Sequence, residues 1–209
     1  YMFNGKASTF ITTNLRVLVD NGWLDDLKYL SEPIPNGHDK RITVKFTCDR
    51  GVSHEFVRHR VFSFAQESTR YCNYSKDKFG NQLTFIIPSW LNVENCIREF
   101  GSLTELEYHK DIDKFQSSEL ANESNFLQSI AWSESNYMIM IRNGIKPQQA
   151  RAVLPNALKT ELVMTGFISD WKGFFKLRDN SKAHPDARAL AKPLHEEFIK
   201  KGYIDGNLD

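Results

Sequence analysis

The stretch RITVKFTCD at 41–49, followed without a break by RGVSHEFVRHRV at 50–61, decides how the chain is read. In its first half Ile42, Val44, Phe46 and Cys48 alternate with Thr43, Lys45 and Thr47. That period of two places one face of a β-strand on a core and the other in water. Asp49, Arg50 and Gly51 read as a turn, and Ser53 as the N-cap of a helix running through Glu55, Phe56, Val57 and Arg58 to Val61. A strand that leads into a helix of this kind implies a sheet packed by helices.

Upstream, an N-cap at Thr12 or Thr13, the apolar residues Leu15, Val17, Leu18 and Val19, and the terminator Gly22 predict a short helix. Trp23, Leu24, Leu27 and Leu30 predict a second, ending before the loop of Pro33 to Lys40. Downstream, a polar and aromatic loop spans about Gln66 to Gln82, and Leu83 to Ile87 reads as a strand closed by Pro88. Phe126, Leu127, Ile130, Ala131, Tyr137, Met138 and Ile141 keep helical spacing up to Gly144, the longest helix expected. Pro147 starts another through Leu154, and Leu158 to Thr165 reads as a strand. Asp170 then caps a helix bearing Trp171, Phe174, Phe175 and Leu177. His184 precedes Pro185 at the start of a last helix with Ala187, Leu190, Ala191, Leu194 and Phe198, ending at Gly202. The expectation is an α+β chain, one domain over 1–209, with a small, mainly antiparallel sheet and a helical middle and C-terminal part.

Length agrees with a single domain: 209 residues suffice to bury roughly 70% of the extended-chain surface. Lys+Arg 27 against Asp+Glu 26 leaves a formal charge of +1, so no global field draws the protein to nucleic acid or an anionic membrane. Any bound anion must meet a local cluster. No apolar run approaches the length of a membrane span. Three cysteines, Cys48, Cys72 and Cys96, contain no Cys-x-x-Cys pair, which suits a reducing cytoplasm. Tyr1 stands before Met2 with no signal-peptide pattern, and an N-terminal segment is expected to be missing.

The chemistry concentrates between Ser53 and Tyr74, where Arg58, His59, Arg60 and Arg70 are set among Phe56, Val57, Val61, Phe62, Phe64 and Tyr71. Guanidinium groups are costly to bury unpaired, and Glu55 and Glu67 are the nearby acids, so a surplus of cations points to an external anion such as phosphate. A half-exposed helix with its arginines along the surface explains the same residues equally well. His54 and Glu55 open like a zinc-protease helix, but Arg58 takes the second histidine's place. His59 is turned about 140° from His54 at 3.6 residues per turn, so no metal is expected. Ser68 has no neighbouring base and reads as a hydrogen-bonding hydroxyl, Arg151 is ambiguous, and Arg178 by default neutralises a helix C-terminus.

Arg58-His59-Arg60, seven residues, Ser68, one residue and Arg70-Tyr71, with Ala150-Arg151-Ala152-Val153-Leu154-Pro155 and Leu177-Arg178 following in order, resemble the signature of the flavin-dependent thymidylate synthases. The resemblance covers about Arg41 to the C-terminus. It implies an enzyme methylating C5 of dUMP to dTMP in nucleotide biosynthesis, with methylene-tetrahydrofolate as carbon donor and FAD, reduced by NADPH, as hydride donor. It further implies a cytoplasmic homotetramer with shared sites. Carried onto this sequence, Glu55, Arg58, Gln66, Glu67, Ser68, Thr69, Arg70, Arg151 and Arg178 would hold dUMP. Arg58, His59, Arg60, Gln66, Ser169 and Gly173 would hold FAD, and Arg178 would be catalytic, its charge activating uracil.

The family's upstream histidine pair is not visible, and His38 lies in an Asn-Gly-His-Asp loop. Phe167, Ile168, Ser169 and Gly173 stand where many members place Asn, Arg and a further polar residue against flavin. A flavin route also needs no cysteine nucleophile, which fits cysteines without a neighbouring cation. The competing reading is a non-catalytic phosphate or single-stranded nucleic-acid binding module built on Arg58 to Arg70, with Tyr71, Tyr74 and Phe79 as stacking platforms.

Overall fold

The computed structural model describes residues 2–3, 6–7, 11, 13, 15–32, 40–92, 94 and 121–208. The chain divides into two compact units, Tyr1–Arg41 and Ile42–Asp209. In the first, β1 (Met2–Phe3) pairs antiparallel with β2 (Lys6–Ala7), and α1 (Leu15–Asp20) is followed by a 3-10 helix, Leu24–Tyr29. Gly22, at φ +69, ends α1 as expected. Gly22 N donates to Val19 O and Trp23 N to Leu18 O, the paired bonds of a glycine helix stop. Thr12 lies outside the described residues, as do Pro33 to Asp39 with His38 and, later in the chain, Cys96.

The second unit carries a three-stranded antiparallel sheet in the order β3 (Arg41–Asp49), β5 (Lys159–Phe167), β4 (Ser63–Gln66). Register is set on one side by the pairs Ser63↔Thr165 to Gln66↔Leu162. On the other it is set by the Thr43 and Thr165 hydroxyls, 2.8 Å apart, and by Arg50 N donating to Leu158 O. Central β5 buries every second residue, Thr160, Leu162 and Met164, and β3 adds Phe46 and Cys48 to the same core. This is the alternation expected of Ile42 to Cys48, and the α+β class is borne out. Packed against it are α2 (Arg50–Phe56), α5 (Ile168–Arg178) and α6 (Pro185–Lys200). A second core gathers Tyr74, Leu83 and Leu158 around Tyr137 of α3 (Ala121–Arg142), next to α4 (Pro147–Ala150).

Several local readings are corrected by tertiary contacts. α2 begins at Arg50 rather than at Ser53, because the Asp49 carboxylate accepts from Val52 N at 2.6 Å and caps it. Ser53 sits inside the helix and donates to Arg50 O. The helix stops at Phe56, so Arg58, His59 and Arg60 lie in the turn after it. Residues Ser63 to Gln66 form a strand because β5 offers them an edge. Leu83 to Ile87, expected as a strand, make only a single bridge, Phe85 to Leu158, since β5 begins just beyond that point. Asp170 is the third residue of α5, its carboxylate accepting from Phe167 N at 2.9 Å.

Gly166 shows how tightly β5 meets the turn after α2: a Cβ there would stand 2.5 Å from the Phe62 ring. Gly166→Ala is expected to destabilise by about 1 to 3 kcal/mol, the usual cost of overpacking. A lowered urea midpoint at unchanged slope checks this. An unchanged midpoint would mean that Phe62 is free to move.

Candidate active site

Trp171, Phe174 and Phe175 lie three and four residues apart on α5 and bury that face, and Arg178 continues it one turn on, at the helix end. Its side chain, 15% exposed, turns onto α2. Nη1 bonds the Glu55 carboxylate at 2.5 Å, Nη2 donates to Glu55 O at 2.8 Å, and Nε donates to His59 Nε2 at 3.0 Å. The guanidinium is therefore held by α2 and the turn after it, unlike a charge that merely neutralises a helix end. A guanidinium has five N–H bonds. Three are used among the described residues, and they fix the plane of the group.

His59 is the partner that local reading leaves out. Its Nε2 accepts from Arg178, so the ring is neutral with its proton on Nδ1. Burial first, and the charges of Arg178 and Arg58 second, push its pKa down from 6.5 to about 4. Phe174 and Phe62 pack around the ring at 5.1 and 6.3 Å. Between those two pH values the unfolded chain binds a proton that the folded protein does not. Stability is therefore fully present above about pH 6.5 and falls as pH drops toward 4. Allowing for solvent screening at this partly exposed ring, the expected loss is about 1 to 2 kcal/mol. Unfolding free energies from urea titrations at pH 7 and 5 should differ by this much more in the parent than in His59→Gln. Equal differences would contradict the geometry.

A cleft of about 750 Å³ opens at this cluster, lined among others by Glu55, Arg58, Lys176, Arg178, Lys182 and His184. Four fixed cations face one carboxylate, and Arg58 has no side-chain bond among the described residues, so the cleft suits an anion of nucleotide size. A smaller hollow of about 230 Å³ adjoins it, sharing Glu55 and His184 and carrying Trp90. Lys176 and Lys182 went unmarked in the sequence, although they flank Arg178 within a short, cation-rich stretch.

The other sequence candidates gather elsewhere. Gln66 points inward, Nε2 donating to Ser53 Oγ at 2.8 Å and Thr160 Oγ1 at 3.3 Å. Glu67 faces Lys159 at 3.8 Å and accepts from Cys72 Sγ at 3.5 Å. The Ser68 hydroxyl accepts from Arg70 N at 3.4 Å, buried Thr69 accepts from Arg151 Nη1 at 3.1 Å, and exposed Arg70 covers the Tyr71 ring. Arg151 and this loop thus come together, but they do not line the Arg178 cleft. Arg60, Ser169 and Gly173 are exposed, the last two a turn apart on α5. Burial and Asp49 push the Cys48 thiol up to about 12, and burial and Glu67 raise that of Cys72. Neither described cysteine is therefore a thiolate near neutral pH. Among the described residues no three His, Cys, Asp or Glu side chains are grouped to hold a metal, and no helix is long and apolar enough to cross a membrane.

The profile of the family described as "Thymidylate synthase complementing protein" matches residues 38–201. Proteins named flavin-dependent thymidylate synthase are similar over most of the chain. That of Corynebacterium efficiens is 29% identical across 94% of this chain and 73% of its own length, and that of Corynebacterium glutamicum 30% identical across 90% and 70%. The protein of Pyrococcus furiosus is 27% identical across 85% of this chain, which spans 64% of that relative.

Proposed function

We propose, because this chain belongs to the thymidylate synthase complementing protein family, the flavin-dependent thymidylate synthases, that it converts dUMP to dTMP. The observation that carries the reading is Arg178, a guanidinium fixed by Glu55 and His59 in the wall of an anion-sized cleft. Set against the N3–C4 edge of uracil, that fixed charge favours the N3-deprotonated or enolate-like ring and so raises electron density at C5, where the new bond forms. Glu55 holds the guanidinium in place, and neutral His59 orients it without adding a competing charge.

Arg58, with no side-chain bond among the described residues, would supply a guanidinium for the phosphate, and with His59, Arg60, Gln66, Ser169 and Gly173 it would hold FAD. The cation-lined cleft fits such a phosphate-bearing group. When bound, the flavin supplies the hydride that completes the methyl group, methylene-tetrahydrofolate supplies the carbon and NADPH restores the flavin. Glu67, Ser68, Thr69, Arg70 and Arg151 stand apart from the cleft within one chain. A neighbouring copy in a homotetramer would therefore bring them to the dUMP. The Gln66 amide acts there by tying its loop to α2 and β5. A reducing cytoplasm suits the two described free thiols.

Purified protein should be yellow, release FAD on denaturation and form dTMP from dUMP, methylene-tetrahydrofolate and NADPH. Colourless protein that binds single-stranded nucleic acid would favour the binding-module reading. Ser68→Ala should weaken dUMP binding by about 1 to 3 kcal/mol while turnover remains measurable, as for one lost bond to a charged ligand. Complete loss of chemistry with normal dUMP affinity would instead make Ser68 the nucleophile.

A further inference from the structure

Arg178 is the last residue of α5, where backbone carbonyls lack helical partners and the final turn frays most readily. The next residue, Asp179, stops that fraying from the far side. Its N–H bonds Phe175 O at 2.9 Å, and its carboxylate takes two partners from α6. Oδ2 bonds His195 Nδ1 at 2.9 Å, and Oδ1 lies 3.7 Å from Arg188 Nε, which also reaches Asp179 O at 3.4 Å. The His195 ring is stacked on Phe175 at 4.7 Å and 17°. His195 is buried, and its other nitrogen, Nε2, has no hydrogen-bond partner among the described residues. A buried histidine whose whole polar capacity goes to one carboxylate is an expensive way to fill a core. Its effect falls on the residue next to Arg178.

We infer that His195 is a positioning residue for Arg178: by gripping Asp179 from α6 it sets the C-terminal turn of α5, and with it the placement of the Arg178 guanidinium in the cleft wall. The guanidinium is then held from both sides, by Glu55 and His59 on one and through Asp179 on the other. The catalytic consequence rests on the function proposed above, whereas the positioning itself does not.

His195→Phe keeps a ring against Phe175 and removes the donor, and His195→Asn keeps a donor near the Nδ1 position and removes the ring. In the full chain as purified, without dUMP, His59 reports where Arg178 sits, because that charge helps hold its ring neutral. By NMR, with the signal assigned from His59→Gln, the parent should show His59 unprotonated above about pH 5.5, as its depressed value requires. His195→Phe should show it titrating closer to 6.5, with turnover down about ten- to a hundredfold, flavin content kept and KM for dUMP little changed. His195→Asn should restore both readouts. An unmoved His59 in His195→Phe, or equal loss in both variants, would overturn the inference, and an effect confined to His195→Asn would overturn it by making His195 a packing residue. If His195→Phe does not fold, Asp179→Asn takes its place, and an unmoved His59 there overturns it equally. Parent protein that makes no dTMP would sink the functional reading alone, since the His59 titration does not depend on the reaction.

Discussion

Arg178→Ala is expected to lower turnover by at least about a hundredfold, the size of effect seen when one preorganised donor facing a transition state is removed. Fold and flavin content should persist. Glu55 is 31% exposed and can return to water, and His59 loses a bond in which it was only the acceptor. A residue that merely complemented the dipole of α5 would cost about 0.3 to 1 kcal/mol of stability and leave turnover alone. Arg178→Lys should recover only part, because an ammonium keeps the charge but cannot make the three bonds to Glu55 and His59 that fix the guanidinium plane. Single-turnover oxidation of the reduced flavin with saturating dUMP and folate, beside flavin content and thermal midpoint, separates these outcomes. An unchanged single-turnover rate in the alanine variant would remove Arg178 from the mechanism.

The largest effect on stability is expected from Trp171→Ala, at about 3 to 5 kcal/mol for an aromatic removed from a close-packed core. Trp171 is fully buried, with Phe62, Phe174 and Phe198 around it at ring distances of 4.7, 5.3 and 5.4 Å. Its indole N–H also donates to Ile42 O at 3.2 Å, fastening α5 to β3. For a chain of this size the melting midpoint should fall by about 10 °C. Trp171→Phe keeps most of the packing and should cost about 1 to 2 kcal/mol, chiefly the unmade bond to the Ile42 carbonyl. Equal losses in the two variants would show that the hydrogen bond, rather than the ring, seats the helix.

Much of this architecture was legible in short stretches. The alternation of Ile42, Val44, Phe46 and Cys48 announces a one-sided strand, and Trp171, Phe174 and Phe175 announce a buried helix face, because burial imprints the backbone period on residue type. The surplus of arginines near Arg58 is equally plain in the sequence, but of that cluster only Arg58 and His59 line the cleft, whose cations besides Arg58 are Lys176, Arg178 and Lys182. The start of α2 is not decided locally, because Asp49 and Ser53 are both good caps, and only the placement of Val52 N against the Asp49 carboxylate decides between them. Residues 63–66 carry no strong signal of their own. They are a strand because β5 lies beside them.

Local periodicity and residue chemistry were thus enough for the α+β class, the core faces of β3 and α5, and the family signature from Arg58 to Tyr71. They were not enough for the site. Arg178 meets Glu55 across 123 residues of sequence and His59 across 119. The Arg151 loop partner Thr69 lies 82 residues away. Pairings at such separations depend on how the sheet orders its strands and how α5 and α6 lie on it, which no window of sequence contains. The neutrality of His59 follows the same rule. An exposed imidazole is half charged near its ordinary pKa, and it is the packing of Phe174, Phe62 and Arg178 around this one, a property of the folded chain alone, that makes it an acceptor.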